Sequence, residues 1–394
     1  MRTQYLKLSG DVFWFLLVLA LSLCSKAQAG GSVSAWGYYY DLTMPETYRP
    51  MYVPAGLTNV IAVSAGYNHA LALKADGTVV GWGWSDATNV PAGLSNVVSI
   101  ATGYQFSLAL KSDGTLTSWG QGNVATTMPT TLSNIVSVSC NGLYHGLALR
   151  SDGTVVTWGS NINGPATVPN GLDHVVEIAS GFGDLASLAL KDDGSVVAWG
   201  TASSWTNVPL GTTNVIAIAS GGSHCLALKA DGTIVSWGAN SSGQTNVPTG
   251  LSNVVSIAAG YAHSLAMKSD GTIVAWGAGT NYAFDYSVNK GQSIVPPGLT
   301  NISSLAGGYT FSLAIKNDSG FPITVPLVDP IKGISAFQVS LPTQSGKVYA
   351  LEYKNSMAET QWSALPLVAG NGAILVLTDS TATNSQRFYR VRRW

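Results

Sequence analysis

The chain has 394 residues with 44 glycines, a formal net charge of −1 and only 10% charged residues, where about a quarter is usual. So little charge with so much glycine suits a sheet-dominated protein with many tight turns. Residues 30 to 320 hold 9 Lys or Arg against 15 Asp or Glu, and seven of the nine are spaced singly from Lys74 to Lys316, which excludes the clustered cations that nucleic acid requires.

Residues 1–29 read as a secretion signal rather than as part of the fold. Arg2 and Lys7 precede a mostly apolar run from Val12 to Cys24, and Ala27-Gln28-Ala29 fits the small-x-small rule for cleavage before Gly30. The run is shorter than the roughly 20 residues of a membrane span, and Leu23 before Cys24 speaks against a lipid anchor. The mature chain is therefore expected to be secreted, or held at the cell surface or in the periplasm, without a transmembrane segment. Its two cysteines, Cys140 and Cys225, lie in apolar strand segments of different repeats and are expected as buried free thiols rather than a disulfide.

From Val33 to Gly320 one unit recurs. Its Leu-Ala-Leu-Lys core stands at Leu71, Leu108, Leu147, Leu188, Leu226, Leu265 and Leu313. Its Trp-Gly ending stands at Trp36, Trp82, Trp119, Trp158, Trp199, Trp237 and Trp276, at spacings of 37 to 46 residues. Leu313 has no Trp-Gly strand after it, and Trp36 has no hairpin before it. Each orphan supplies what the other lacks, so the reading is an all-β chain: a seven-bladed β-propeller over residues 30–320, closed by the N-terminal strand.

Within a unit, short β-branched runs are bounded by a Gly-Tyr-x-His corner and by Asp-Gly, the signature of antiparallel hairpins. Asp76-Gly77, Asp113-Gly114, Asp152-Gly153, Asp193-Gly194, Asp231-Gly232 and Asp270-Gly271 read as turn chemistry rather than as acidic or metal sites. Antiparallel alternation puts these turns at one end of each blade, and the corner and the loop after Trp-Gly at the other. The loops at the corner end vary most, as expected where a constant scaffold carries specificity.

These residues resemble the regulator of chromosome condensation repeat family, whose units carry Gly-x-x-His-Ser-x-Ala-Leu, then Asp-Gly, then Trp-Gly. Stretches such as Gly238 to Pro248 resemble in particular its secreted bacterial branch, which contains a seven-bladed beta-lactamase inhibitor. The resemblance covers residues 33–320. It implies a propeller whose aromatic loop face grips a protein partner through the corner positions Tyr67, Tyr104, Tyr144, Phe182, Tyr261 and Tyr309. The fifth unit has Gly221-Gly222-Ser223 there and no aromatic, which leaves the set incomplete.

His69, His145, His224 and His263 share one repeat position, which Phe106 and Phe311 occupy elsewhere. Interchange with Phe favours packing over metal ligation, and no nucleophile triad or His-Glu-x-x-His pattern is present. Trp84 and Trp205 break the repeat in variable loops and join the candidate partner-binding residues. So do Tyr38, Tyr39 and Tyr40 after Trp36-Gly37, and Tyr282, Phe284 and Tyr286 after Trp276-Gly277, which closure would place on adjacent blades. Beside them Asp41, Glu46 and Asp285 are the carboxylates available to a rival lectin or polysaccharide enzyme.

Pro322, Pro326 and Pro330 mark a linker over 321–333. Residues 334–394 read as a small β-sandwich-like module of about five strands, with a basic end at Arg387, Arg390, Arg392 and Arg393 that suggests either docking on an anionic envelope or a solvated edge strand. The expectation is a monomeric, secreted, non-catalytic binding protein without cofactor or metal. Its ligand is an extracellular or envelope protein, which it inhibits if the resemblance extends that far, or a glycan.

Overall fold

The computed structural model describes residues 6–7, 30–40, 48–121, 128–129, 132–140, 142, 145–159, 167–182, 186–201, 203–280, 288–317, 328–332, 337–343, 347–355, 363–370, 374–381 and 387–393. These are strand, turn and loop except for a 3-10 turn at Asp86–Thr88 and a short helix at Ser203–Thr206. No helix among them is long and apolar enough to cross a membrane.

The described repeats form seven antiparallel sheets in succession. The first is Val60–Ala65, His69–Lys74 and Val79–Gly83; the second is Val97–Thr102, Phe106–Lys111 and Leu116–Gly120. The third is Ile135–Ser139, His145–Arg150 and Val155–Gly159; the fourth is Val175–Ser180, Ala186–Lys191 and Val196–Gly200. The fifth is Val215–Ser220, His224–Lys229 and Ile234–Gly238; the sixth is Val254–Ala259, His263–Lys268 and Ile273–Gly277.

The seventh takes Ile302–Gly307 and Phe311–Lys316 from the last unit, and its third strand, Ser32–Tyr40, from the start of the chain; Tyr48–Pro50 lies beyond. Trp36 stands opposite Ser312 and Gly37 opposite Phe311, the register in which Trp276 faces Ser264 and Gly277 faces His263. The N-terminal strand thus fills the place that the Trp-Gly strand fills in the other sheets.

Each turn between second and third strands is closed by its aspartate. Asp76 Oδ1 accepts from the Thr78 backbone N at 3.0 Å and from its hydroxyl at 2.5 Å, while Gly77 takes φ 77°. Those bonds hold the Asp76 and Asp270 carboxyls down at about 2, the threonine hydroxyls contributing most.

First strands touch first strands from sheet to sheet, the seventh meeting the first, while third strands lie farthest out. Middle strands are therefore enclosed on both faces. Leu71, Leu73, Leu108, Leu110, Leu147, Leu149, Leu188 and Leu190 are all 0% exposed, each contributing roughly 2 kcal/mol of hydrophobic burial. The layers interleave, with the leucines of one sheet packing on the tryptophan of the next. Leu71 and Leu73 join Trp119, Leu147 and Leu149 join Trp199, and Leu265 and Met267 join Trp36. Phe311, Leu313 and Ile315 of the seventh sheet pack against Trp82, Ala70 and Ala72 of the first.

The tail pairs Val328–Lys332, Phe337–Pro342 and Ile374–Asp379 in one sheet, and Val348–Lys354 with Phe388–Arg393 and two short strands in another. Phe337, Val339, Leu341, Tyr349, Leu351, Leu377 and Tyr389 fill the core. Two features depart from the sequence reading. Val328–Lys332 is a strand inside the expected linker, where Pro330 is tolerated because the register slips between Val328 and Ile331. At the basic end, Phe388–Arg393 pairs along one side with Val348–Lys354. Arg387 is committed internally, donating to the buried Asp379 at 2.6 Å and lying 4.1 Å over the Tyr353 ring. The tail is also docked on the repeats. Val348, Ala350 and Leu367 join the core of the fourth and fifth sheets, and Leu367 N donates to Asp192 O at 3.1 Å.

Candidate functional site

The corner after each first strand stands nearest the axis, so corner side chains converge there. Tyr67 lies 4.4 Å from Tyr104 and 4.1 Å from Tyr309 between ring centroids, and Tyr261 lies 4.3 Å from Tyr309, all with tilted planes. Four half-buried tyrosines from the sixth, seventh, first and second sheets thus form one continuous stack. A side-chain hydrogen bond joins Tyr67 and Tyr309, and burial pushes both phenols above their ordinary range.

Backbone bonds link the same corners. Tyr67 N donates to Gly103 O, Tyr104 N to Gly142 O, Phe182 N to Gly221 O, Gly222 N to Tyr261 O, Tyr261 N to Gly308 O and Tyr309 N to Gly66 O, at 2.9 to 3.3 Å. The fifth unit's missing aromatic now has a reason. A Cβ on Gly222 would lie 2.5 Å from the Tyr261 ring, so Gly222 is the seat of that ring rather than a gap in the set.

The strand Ser32–Tyr40 runs past its tryptophan and turns back as Tyr48–Pro50 beside this stack. Tyr38 N donates to Thr310 O at 3.1 Å and Tyr40 N to Asn68 Oδ1 at 3.3 Å, which ties the strand to the corners of the seventh and first sheets. Tyr40 and Tyr48 meet edge to face at 5.3 Å. Lys290, from the loop after Trp276-Gly277, is 1% exposed and holds its ammonium 3.8 Å over the Tyr48 ring. Segments after Trp36-Gly37 and after Trp276-Gly277 thus touch through Tyr48 and Lys290. Their contact residues, Tyr48 and Lys290, were not among the candidates.

Tyr38, Tyr39, Tyr40, Tyr67, Tyr104, Tyr261 and Tyr309 are half-buried, as are Trp84 and Trp205. The Trp205 carbonyl accepts from Trp237 Nε1 at 2.7 Å, so this loop residue also braces the fifth sheet. Phe182 is only 5% exposed and packs inward, unlike a partner contact. Tyr144, Tyr282, Phe284 and Tyr286, with Asp41, Glu46 and Asp285, lie outside the described residues.

The corner histidines bind sheet to sheet. His69 Nε2 lies 3.0 Å from Ser107 Oγ, His145 Nε2 3.2 Å from Ser187 Oγ, and His224 and His263 Nε2 each 2.9 Å from Ser264 and Ser312 Oγ. Ser107 gives its only proton to Ala87 O at 2.9 Å, so His69 Nε2–H donates to it. Ser264 and Ser312 do likewise toward Gln244 and Gln292. Where a corner is not His, the next unit does not carry Ser at this position. Phe106 precedes Gly146, Ala186 precedes Cys225, and Phe311 precedes Ala70. Cys140 and Cys225 are free and buried, and burial pushes the Cys225 thiol up to about 12.

This burial makes stability depend on pH. Desolvation holds His69 and His263 down at about 3 and His224 at about 4, so below about 6.5 the unfolded chain takes up three protons that the folded chain refuses. Glu177 opposes them, burial pushing its carboxyl up to about 8. Folding therefore excludes a net two protons between about 4.5 and 6.5, and stability should fall by about 3 kcal/mol for each unit of acidification there. Denaturant melts across that window check the slope, and Glu177→Gln should steepen it toward about 4 kcal/mol per unit.

The regulator of chromosome condensation (RCC1) repeat matches the chain at residues 60–87, 97–124, 135–164, 215–244 and 254–282, which fall on the first, second, third, fifth and sixth sheets. No curated protein matches the chain. Among solved structures, Prp20p of Saccharomyces cerevisiae shares 21% identity over 74% of this chain and 94% of its own, with a TM-score of 0.57. Human WBSCR16 shares 18% over 73% and 99%, with a TM-score of 0.52. The ectodomain of the receptor kinase CR4 from Physcomitrella patens shares 20% over 69% and 76%, with a TM-score of 0.53. At such identities the likeness is one of fold. The chain thus matches the regulator of chromosome condensation (RCC1) repeat in five places and shares the propeller fold of these structures.

Proposed function

We propose that the chain is an exported, non-catalytic binding protein that holds a protein partner on its corner end, and that an extracellular enzyme which it inhibits is the partner class. The observation that carries this reading is the axial stack of half-buried tyrosines beside the Tyr38–Tyr40 strand. Tyrosine offers large rigid contact area at small entropic cost and is enriched at the centres of protein interfaces. Protein binding by a relative of this fold supports a protein partner in general, since Prp20p was described with its binding to Gsp1p and histones. Export rests on the N-terminal segment, and sequencing the protein recovered from culture medium should find Gly30 at its start.

The purified mature chain is expected to retain a partner from the secreted proteins of its host culture. A variant with Tyr261→Ala and Tyr309→Ala, shown by thermal melting to be folded, should lose that partner. Equal recovery by the two proteins would overturn the reading.

A further inference from the structure

We infer that Tyr48–Pro50 has two seatings, the hairpin described above and a second in which Pro50 lies against the first sheet and its carbonyl accepts from the Trp82 indole. The inference concerns the chain alone. Only its consequence for how the corner end presents its tyrosines rests on the function proposed above.

It starts from a bond that recurs between sheets. Trp119 Nε1 donates to Ala87 O at 2.8 Å, Trp237 Nε1 to Trp205 O at 2.7 Å, Trp276 Nε1 to Gln244 O at 2.9 Å and Trp36 Nε1 to Gln292 O at 2.7 Å. Each acceptor lies in the connection that leaves the preceding sheet, four residues before a proline: Pro91, Pro209, Pro248 and Pro296. In the connection from the seventh sheet to the first that proline is Pro54, and the residue four before it is Pro50. By the same rule its carbonyl belongs to Trp82. Yet Trp82 is 7% exposed, and its Nε1 is buried without a hydrogen-bond partner among the described residues. A donor that has given up water and gained no acceptor disfavours the arrangement that holds it.

The hairpin accounts for the unmet donor. Tyr48–Pro50 pairs with Tyr38–Tyr40, with Pro50 opposite Tyr38, and the Pro50 carbonyl accepts instead from Tyr52 N at 2.9 Å. Two ring contacts favour this seating, Tyr40 against Tyr48 at 5.3 Å and the Lys290 ammonium 3.8 Å over the Tyr48 ring. What it forgoes is small. In the second, sixth and seventh sheets the equivalent carbonyl also serves a serine, since Ser107, Ser264 and Ser312 donate to Ala87 O, Gln244 O and Gln292 O. The first sheet carries Ala70 at that place. Lifting Pro50 away therefore leaves one donor unmet rather than two, which keeps the two seatings close in free energy. Met51, 3% exposed and packed in one core with Trp82, suits both, because an unbranched thioether repacks readily. In the second seating Tyr48 leaves Lys290 and the flank of the tyrosine stack, so a partner that grips the hairpin would hold the first.

The test is nuclear magnetic resonance of the mature chain labelled with 15N, the Trp82 indole signal being assigned by its loss in Trp82→Phe. The Trp82 indole and the Tyr38 and Arg49 amides are expected to show relaxation dispersion at one shared rate, from a second state of about 1–10%. Tyr48→Leu removes both ring contacts and should move the Trp82 indole proton downfield, toward the bonded Trp119 signal, while Trp119 itself stays in place. Trp82→Phe removes the bond gained in the second seating and should quench the dispersion at Tyr38 and Arg49, with thermal melts showing that both variants are folded. A Trp82 indole without dispersion and unmoved in Tyr48→Leu would overturn the inference. So would dispersion at Tyr38 and Arg49 that persists in Trp82→Phe. Should a variant not fold, the unaltered chain decides, shared dispersion supporting the second seating and its absence overturning it. Partner capture enters none of these measurements, so a failure here leaves the proposed function standing, and loss of that function leaves the two seatings as they are.

Discussion

Deleting residues 30–40 is expected to leave no cooperatively folded repeat domain. The deletion removes the third strand of the seventh sheet, pairing that runs from Ser32 opposite Lys316 to Gly37 opposite Phe311. It also removes Trp36, 6% exposed, packed with Leu265 and Met267 and bonded through Nε1 to Gln292 O at 2.7 Å. Loss of one such buried tryptophan costs about 3–5 kcal/mol, and with the ladder the total approaches the roughly 5–15 kcal/mol that holds a whole domain. The exposed edge along Phe311–Lys316 should then drive association. Circular dichroism and size exclusion read the outcome. A permuted chain that lacks the tail and carries Ser32–Tyr40 directly after a short turn from Lys316, with its new ends between two other sheets, should regain the fold. A deletion protein that melts like the parent would show that the seventh sheet does not depend on the N-terminal strand, and a closed seven-bladed ring would be the wrong description. Removing only the tail should cost less, because it uncovers the seat of Val348, Ala350 and Leu367 without opening a sheet.

The second large effect concerns the contacts between sheets. His69→Phe should destabilise by about 2 kcal/mol, since a ring CH replaces the donor that the buried Ser107 hydroxyl accepts. Ser107→Ala alone should cost about 1–2 kcal/mol by leaving His69 Nε2–H without its acceptor. The two changes together copy the combination Phe311 and Ala70 that stands between the seventh and first sheets, and they should cost at least about 1 kcal/mol less than the sum. Additive losses in a denaturant-based double-mutant cycle would mean that histidine and serine occupy these places independently.

Much of the fold was legible because it is written seven times. Trp-Gly, Asp-Gly and Leu-Ala-Leu each fix a strand or a turn locally, and the split between Trp36 and Leu313 pointed to the pairing of the two chain regions. The corner tyrosines were legible as a set, but their merging into one stack was not, because ring contacts depend on how close the corners stand to the axis. Gly222 could be seen to depart from the repeat, yet only the position of Tyr261 explains it. Lys290 over Tyr48 follows no period, since two irregular loops make it. The histidine and serine partners did carry a signal that was missed. Aligning each unit with the next, rather than each with a common pattern, shows Ser after His in all four cases. The docked tail had no signature at all, because apolar residues such as Val348 and Leu367 read the same whether they face their own module or a neighbour.

The partners of the corner residues also give the units an order. Seven segments that look interchangeable as text are cut like staves, each shaped for the one beside it. Exchanging the second and fifth units would set His224 against Gly146 and Phe106 against Ser264, leaving a donor without an acceptor at one seam and a hydroxyl against a hydrocarbon ring at another. A cut and rejoining that keeps the cyclic sequence would disturb no seam. Duplication of a single unit would succeed only where its own corner suits its own middle strand, as for the sixth, where His263 and Ser264 carry both halves of the match.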